Sequence, residues 1–197
     1  MHATPVKAPP ESPRWIHELK YDGFRVLASR CGRQVRLYLS NGRDIARSFP
    51  EVVADLLAIR RDVTIDGDLV VCDERGHPQF ERLRRRALMT GTMEVAYAAL
   101  EAPASIFAFD LLELDGVDCR RRPLLERKRQ LARILRGRER IRCAGHQGNG
   151  VALLAEARRL EIEGIVAKRV NSVYTAGRSQ DWRTISVRRD AGERRSV

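Results

Sequence analysis

The sequence predicts an α+β fold, with mainly antiparallel sheets flanked by helices, and three observations lead there. Runs with period-two alternation of apolar and polar residues are joined by short Gly-containing turns. Stretches with apolar residues at helical spacing are interspersed among these strand pairs. A hydrophobic content of 43% over 197 residues supplies a core without support from metal or disulfide.

Residues 1–13 hold four prolines and no periodicity, and read as a flexible N-terminal arm. Alternation begins over 24–29, turns at Cys31-Gly32 and resumes over 35–39, and Asn41-Gly42 marks a tight turn. After Pro50, the residues Val52, Val53, Leu56, Leu57 and Ile59 fall at helical spacing. Residues 63–65 and 69–71 read as two strands bracketing an Asp66-Gly67 hairpin turn, with another turn at Glu74-Arg75-Gly76. Phe80, Leu83 and Ala87 give a helix whose outer face carries Arg82, Arg84, Arg85 and Arg86. That run reads as a solvated charge face, with a DNA contact as the alternative. Residues 106–112 form a buried strand closed by Asp115-Gly116. Pro123 suits the first turn of a helix through Leu124, Leu125, Leu131 and Leu135. Leu153, Leu154, Ala157 and Leu160 give a last helix that ends before Glu163. One domain over 14–189 follows, with a C-terminal tail over 190–197 and no repeat, low-complexity segment or internal linker.

A net charge of +11 and a pI near 10.3 favour a polyanionic partner, because each phosphate neutralised releases condensed counterions. No basic amphipathic helix with an aromatic face points to a membrane surface, so nucleic acid is the better reading. Genomic base composition is another source of the arginine bias. No apolar run has membrane-spanning length and no signal peptide is evident, so a cytoplasmic, nucleoid-associated protein is expected. Cys31, Cys72, Cys119 and Cys143 form no Cys-x-x-Cys pair, and the four histidines show no metal-ligand spacing.

The chemistry is concentrated at Lys20. Of 37 basic residues only Lys7, Lys20, Lys128 and Lys168 are lysines. A position that stays Lys in such a background is a candidate for a task guanidinium cannot perform. A deprotonated amine is a nucleophile, whereas guanidinium, with a pKa above about 12, does not deprotonate. The plain alternative is a lysine that falls beside an Asp-Gly turn by accident. No Walker A sequence, Gly-x-Gly-x-x-Gly or Gly-x-Ser-x-Gly is present. Four short segments remain: Lys20-Tyr21-Asp22-Gly23, Asp66-Gly67-Asp68, Phe107-Ala108-Phe109-Asp110 and Glu163-Gly164-Ile165-Val166-Ala167-Lys168.

In order and spacing these segments resemble the nucleotidyltransferase motifs of ATP-dependent DNA ligases, in particular the ligase domain of bacterial ligase D. The resemblance runs from about Trp15 to Trp182 and takes in Asn41-Gly42-Arg43-Asp44, Asp115-Gly116 and the stretch from Tyr174 to Trp182. It implies the nucleotidyltransferase (ATP-grasp-like) adenylation fold, ATP and Mg²⁺ or Mn²⁺ as cofactors, and nicked or broken DNA as substrate. A separate DNA-binding or end-joining protein is a further partner it suggests. It also implies that Lys20 attacks the α-phosphate of ATP, forms a lysyl-AMP, and passes the AMP to a DNA 5′-phosphate for strand joining. By the same resemblance Glu18 meets the adenine edge, Phe109 stacks on its face, and Arg25 lies near the ribose or the DNA phosphate. Asp68 stands where the family contacts the ribose. Glu163 and Asp110 hold the metal, Lys168 approaches the phosphates, and Asp22 sets the loop of the nucleophile. Phe109 as simple core, and Asp22 and Asp66 as turn formers, are the plain alternatives.

Three positions depart from the family pattern. Asp68 replaces a Glu, and Ser40 replaces an Arg before Asn41-Gly42, with Arg43 across the turn. The final motif, Trp-x-Lys-x-Lys in the family, reads Trp182-Arg183-Thr184-Ile185-Ser186. One electrostatic group in a phosphoryl-transfer site is worth about 3 kcal/mol, so slow self-adenylylation is expected unless Arg183, Arg188 or Arg189 compensates. Fifteen residues follow Trp182, so the oligonucleotide-binding-fold domain that follows in these ligases is expected to be absent. The competing readings are a nucleic-acid-binding module of the same fold that has lost catalysis, and an RNA ligase.

Overall fold

The computed structural model describes residues 1–187 and contains two sheets. The smaller has four strands in the order β1 (His2–Pro5), β10 (Arg178–Ser186), β9 (Gly164–Arg169) and β2 (Trp15–Lys20). β9 pairs antiparallel with β2 and β10, placing Lys20 opposite Gly164 and Lys168 opposite Trp182. The larger sheet orders β4 (Gln34–Leu39), β3 (Phe24–Cys31), β5 (Val63–Val71) and β6 (Ala104–Leu114), all antiparallel. The far edge of β6 is shared by β7 (Val117–Asp118) and, in parallel, by β8 (Ile141–Cys143).

Among the described residues five α-helices cover the sheets: α1 (Pro50–Leu57), α2 (Phe80–Arg86), α3 (Thr92–Glu101), α4 (Leu124–Ile134) and α5 (Gly150–Arg159). A main core joins the larger sheet to α1, α2 and α4 through Leu37, Leu56, Ile65, Leu83, Leu111 and Leu131. A second core packs α5 on the smaller sheet through Trp15, Leu153, Ala157, Ile165 and Ile185. A third cluster of Met1, Phe109, Ala144 and Trp182 spans β10 and β6. Among the described residues no helix is long and apolar enough to cross a membrane.

Three expectations are corrected and one helix is added. The arm over 1–13 contains a strand: His2–Pro5 pairs in parallel with β10, and Met1 is buried. Asp66-Gly67 is no hairpin turn, because β5 runs straight through it. Gly67 serves a close approach instead, since a Cβ there would lie 2.6 Å from Ile106 Cγ2 and 2.9 Å from the Phe107 carbonyl oxygen. The genuine hairpin pair is Asp115-Gly116, both at positive φ (48° and 76°). Arg86 leaves the solvated arginine face: it is 3% exposed and held by Glu51 at 2.6 Å and by the Ser48 and Ala102 carbonyls. Finally, α3 has no counterpart in the sequence reading. It buries Val95 and Ala98 while Met93, Tyr97 and Leu100 face solvent, so its apolar residues do not trace a core-facing stripe. The tail over 190–197 lies outside the described residues.

Candidate functional site

The site is a cavity of about 360 Å³ between the two sheets, in the size range of ligand pockets. Strand periodicity decides which side chains reach it. From β2 come Glu18 and Lys20, from β9 Val166 and Lys168, and from β10 Trp182 and Thr184. The larger sheet contributes Arg25 of β3, Asp68 of β5 and Phe109 of β6, while Asp22 and Glu163 sit on the loops entering β3 and β9. Eight of the nine predicted site residues therefore meet at one place.

The ninth, Asp110, does not. One residue beyond Phe109 on β6, it is absent from the cavity wall and fully buried. The Arg127 guanidinium of α4 donates to both its oxygens, Nε at 2.6 Å and Nη2 at 2.8 Å. A carboxylate occupied in this way is an internal counter-ion, which corrects its assignment as a metal ligand.

At the mouth of the cavity the Lys20 ammonium contacts the Glu163 carboxylate; their side chains are 33% and 42% exposed. The pairing follows from the register that sets Lys20 opposite Gly164. Deeper in, Glu18 is 2% exposed and lies between two buried ammonium groups. Lys168 Nζ donates to Oε2 at 2.7 Å. Lys128 of α4 stands 2.7 Å from Oε1 without the alignment of a hydrogen bond, so Oε1 keeps an unfilled acceptor direction. Burial pushes the Glu18 carboxyl up, but Lys168 and Lys128 overcome it and hold Glu18 below the usual carboxylate range. Burial lowers the Lys168 ammonium from its ordinary value against the pull of Glu18, and Lys128 adds to the lowering.

Phe109 is both core and wall. It is 8% exposed, meets Trp182 edge-on at 5.7 Å, and has Lys168 Nζ 4.0 Å from its ring centroid. Lys168 is also 4.1 Å from the Trp182 ring, so two aromatic faces help hold an ammonium that is out of water. Arg25 is aimed by Asp66, which accepts Nε at 3.0 Å and Nη2 at 2.5 Å and also accepts the Tyr174 hydroxyl at 2.7 Å. Asp66 is thus an orienting residue and no turn former. Asp68 has no ion-pair partner among the described residues; burial, opposed by Lys168, pushes its carboxyl up to about 6.

Two further buried polar atoms at the cavity lack partners among the described residues, Trp182 Nε1 and Thr184 Oγ1. Thr184 occupies a position where a cation was expected, and Arg183 does not replace it. Arg183 lies on the opposite face of β10, its guanidinium carbon 4.7 Å from the Trp15 ring. Arg188 and Arg189 lie outside the described residues. Lys128, Asp66, Tyr174 and Arg127 were not assigned site roles from sequence, although the scarcity argument that singled out Lys20 applies equally to Lys128.

The family model for the ATP dependent DNA ligase domain matches residues 4–185, beginning in β1 and ending in β10. The chain belongs to the ATP-dependent DNA ligase domain family. It is 35% identical over 185 residues to the multifunctional non-homologous end joining protein LigD of Pseudomonas aeruginosa, covering 91% of this chain and 21% of that protein. It is 31% identical over 180 residues to the SPbeta prophage-derived DNA ligase-like protein LigB of Bacillus subtilis, covering 90% of this chain and 63% of that protein. The ligase domain thus spans less than two thirds of either relative. Mycobacterial DNA ligase D complexed with ATP and MES superposes with a TM-score of 0.75 at 28% identity, over 93% of this chain and 58% of that one. The fold is therefore that of the DNA ligase nucleotidyltransferase domains, as the sequence predicts.

Proposed function

We propose that this ligase domain activates ATP by forming a lysyl-AMP on Lys20 and transfers the AMP to the 5′-phosphate of nicked or broken DNA. The observation that carries the proposal is the meeting of Lys20 and Glu163 at the mouth of a cavity whose interior offers Glu18, Phe109 and Lys168. Adenine fits this interior: its exocyclic amino group is a donor, and Glu18 Oε1 is a buried acceptor without a hydrogen bond. Trp182 Nε1 and Thr184 Oγ1 are two more buried polar atoms for a polar ligand to satisfy.

In the first step the Lys20 ammonium releases its proton to water, which a one-third exposed side chain can reach. The amine lone pair attacks the α-phosphorus, a phosphorus–nitrogen bond forms, and the bond to the bridging oxygen breaks as pyrophosphate departs with its electron pair. Arg25, fixed by Asp66, and Lys168 offset charge on the phosphates. Asp22 shapes the loop after the nucleophile, and Asp68 faces the sugar. No group of three or more His, Cys, Asp or Glu side chains among the described residues forms a cation cage. Mg²⁺ is ordinarily held by one or two carboxylates together with substrate phosphates, and Glu163 fits that role. Bound there, Mg²⁺ or Mn²⁺ supplies charge neutralisation at the phosphates. The +11 net charge suits a DNA substrate, and the end-joining role named for the Pseudomonas relative suggests a separate end-binding partner.

The loss of both final-motif lysines favours a second reading, a DNA-binding module that has lost catalysis. Incubation with ATP and Mg²⁺ followed by intact-mass measurement decides between the two. One AMP adduct on wild type and none on Lys20→Ala is expected. No adduct on wild type, together with DNA binding that weakens steeply with salt, would leave only the binding module.

A further inference from the structure

We propose that Lys128 is a positioning residue of the nucleotide site: by neutralising Glu18 on its own, it frees Lys168 to engage the phosphates. The inference rests on the ATP-binding reading above and adds a residue that the reading does not use.

Glu18 is a two-oxygen acceptor with one ammonium at each oxygen, Lys168 at Oε2 and Lys128 at Oε1, each at 2.7 Å. The three side chains are each 2% exposed and come from separate elements, β2, β9 and α4. The two lysines are not equivalent. Lys168 lines the cavity, whereas Lys128 does not and so stands outside the reach of a ligand there. Lys128 is also tied down from behind, donating to the Ala144 carbonyl at 3.0 Å.

That asymmetry matters because a buried carboxylate stripped of its only cation is strongly destabilised. If Lys168 were the sole partner of Glu18, it could not turn to a phosphate without leaving such a carboxylate behind. With Lys128 anchored at the other oxygen, Lys168 shifts from Oε2 to an anionic ligand while Glu18 stays paired and in place. The residue type fits the task. A compact ammonium offsets the charge of Glu18 while donating to the Ala144 carbonyl in a buried niche, and α4 uses lysine here between Arg127 and Arg129. The spare charge also matters because Thr184, the side chain that the end of β10 presents to the cavity, carries none.

The test is equilibrium binding of ATP and of adenosine, by calorimetry, without a divalent cation so that no transfer proceeds. Lys128→Met is expected to lower the ratio of ATP affinity to adenosine affinity about tenfold, with adenosine binding itself changed less than threefold. In a Glu18→Gln background, which has no carboxylate to neutralise, removing Lys128 is expected to change the ratio less than twofold. A Lys128→Met ratio within twofold of wild type, or an equal loss of adenosine binding, overturns the role of Lys128. If Lys128→Met does not fold, the Glu18→Gln/Lys128→Met double variant decides, and a tenfold lower ratio there than in Glu18→Gln alone also overturns it. A wild type that binds neither compound overturns the nucleotide-site reading and this inference together.

Discussion

The guanidinium of Arg127 grips both carboxylate oxygens of Asp110, and neither side chain is exposed at all. Arg127 also donates to the carbonyls of Ser172 and Arg122, so it ties α4 to β6 and to the segments on either side. Removing one partner of a buried ion pair costs about 3–5 kcal/mol, because the other charge stays buried alone. Arg127→Met is therefore expected to lose stability of that order in chemical denaturation. Asp110→Asn is expected to be destabilised as well, with an unchanged Mg²⁺ concentration dependence of adduct formation. A shifted Mg²⁺ dependence would return Asp110 to the metal site.

Thr184 faces the cavity and Arg183 faces Trp15, so among the described residues the end of β10 brings no lysine or arginine side chain to the cavity. Introducing two amines by Thr184→Lys and Ser186→Lys is expected to speed AMP-adduct formation at least tenfold, a gain of about 1.4 kcal/mol in transition-state stabilisation. Single-turnover rates under saturating ATP measure it. An unchanged rate would mean that Lys168 and Arg25 already supply the charge the transfer needs.

Asp68 gives the domain a pH signature. Its carboxyl is raised from 3.8 to about 6, chiefly by burial, so between those values the folded state holds a proton that the unfolded chain has released. Ionised Asp68 thus weakens the fold above pH ~6, and the penalty fades as pH falls toward ~4. Asp68→Asn is expected to stabilise the protein by about 1 kcal/mol at pH 8, some 2–4 °C in melting temperature. The gain should shrink through pH 6 and vanish near pH 4. A pH-independent difference between variant and wild type would place Asp68 in a more solvated setting than the cavity wall.

What the sequence made legible follows the range of the interactions concerned. The strands carrying Lys20, Phe109 and Lys168 declare themselves by local alternation and nearby turns, and their motif spacing brings eight named residues to one cavity. Asp66-Gly67 misled because Asp-Gly commonly marks a hairpin, whereas here glycine is needed where β5 presses against Ile106 and Phe107. Nothing local announces that approach. The Asp110–Arg127 pair and the Lys128–Glu18 contact were hidden for a similar reason. Both depend on how α4 docks against the sheets, over separations of 17 residues in one case and more in the other. His2–Pro5 escaped detection because its hydrogen-bond partners lie at the far end of the chain, in β10.

The scarcity of lysine has a practical consequence. Lys128 and Lys168 are sealed inside, each 2% exposed, while Lys20 stands at the cavity mouth and Lys7 lies on the surface. An amine-selective acylating reagent thus has only two accessible side-chain targets among the described residues. Lys7 serves as an internal standard, and a molecule that fills the cleft registers as protection of Lys20 relative to Lys7. The polypeptide carries its own footprinting probe, with no label to engineer.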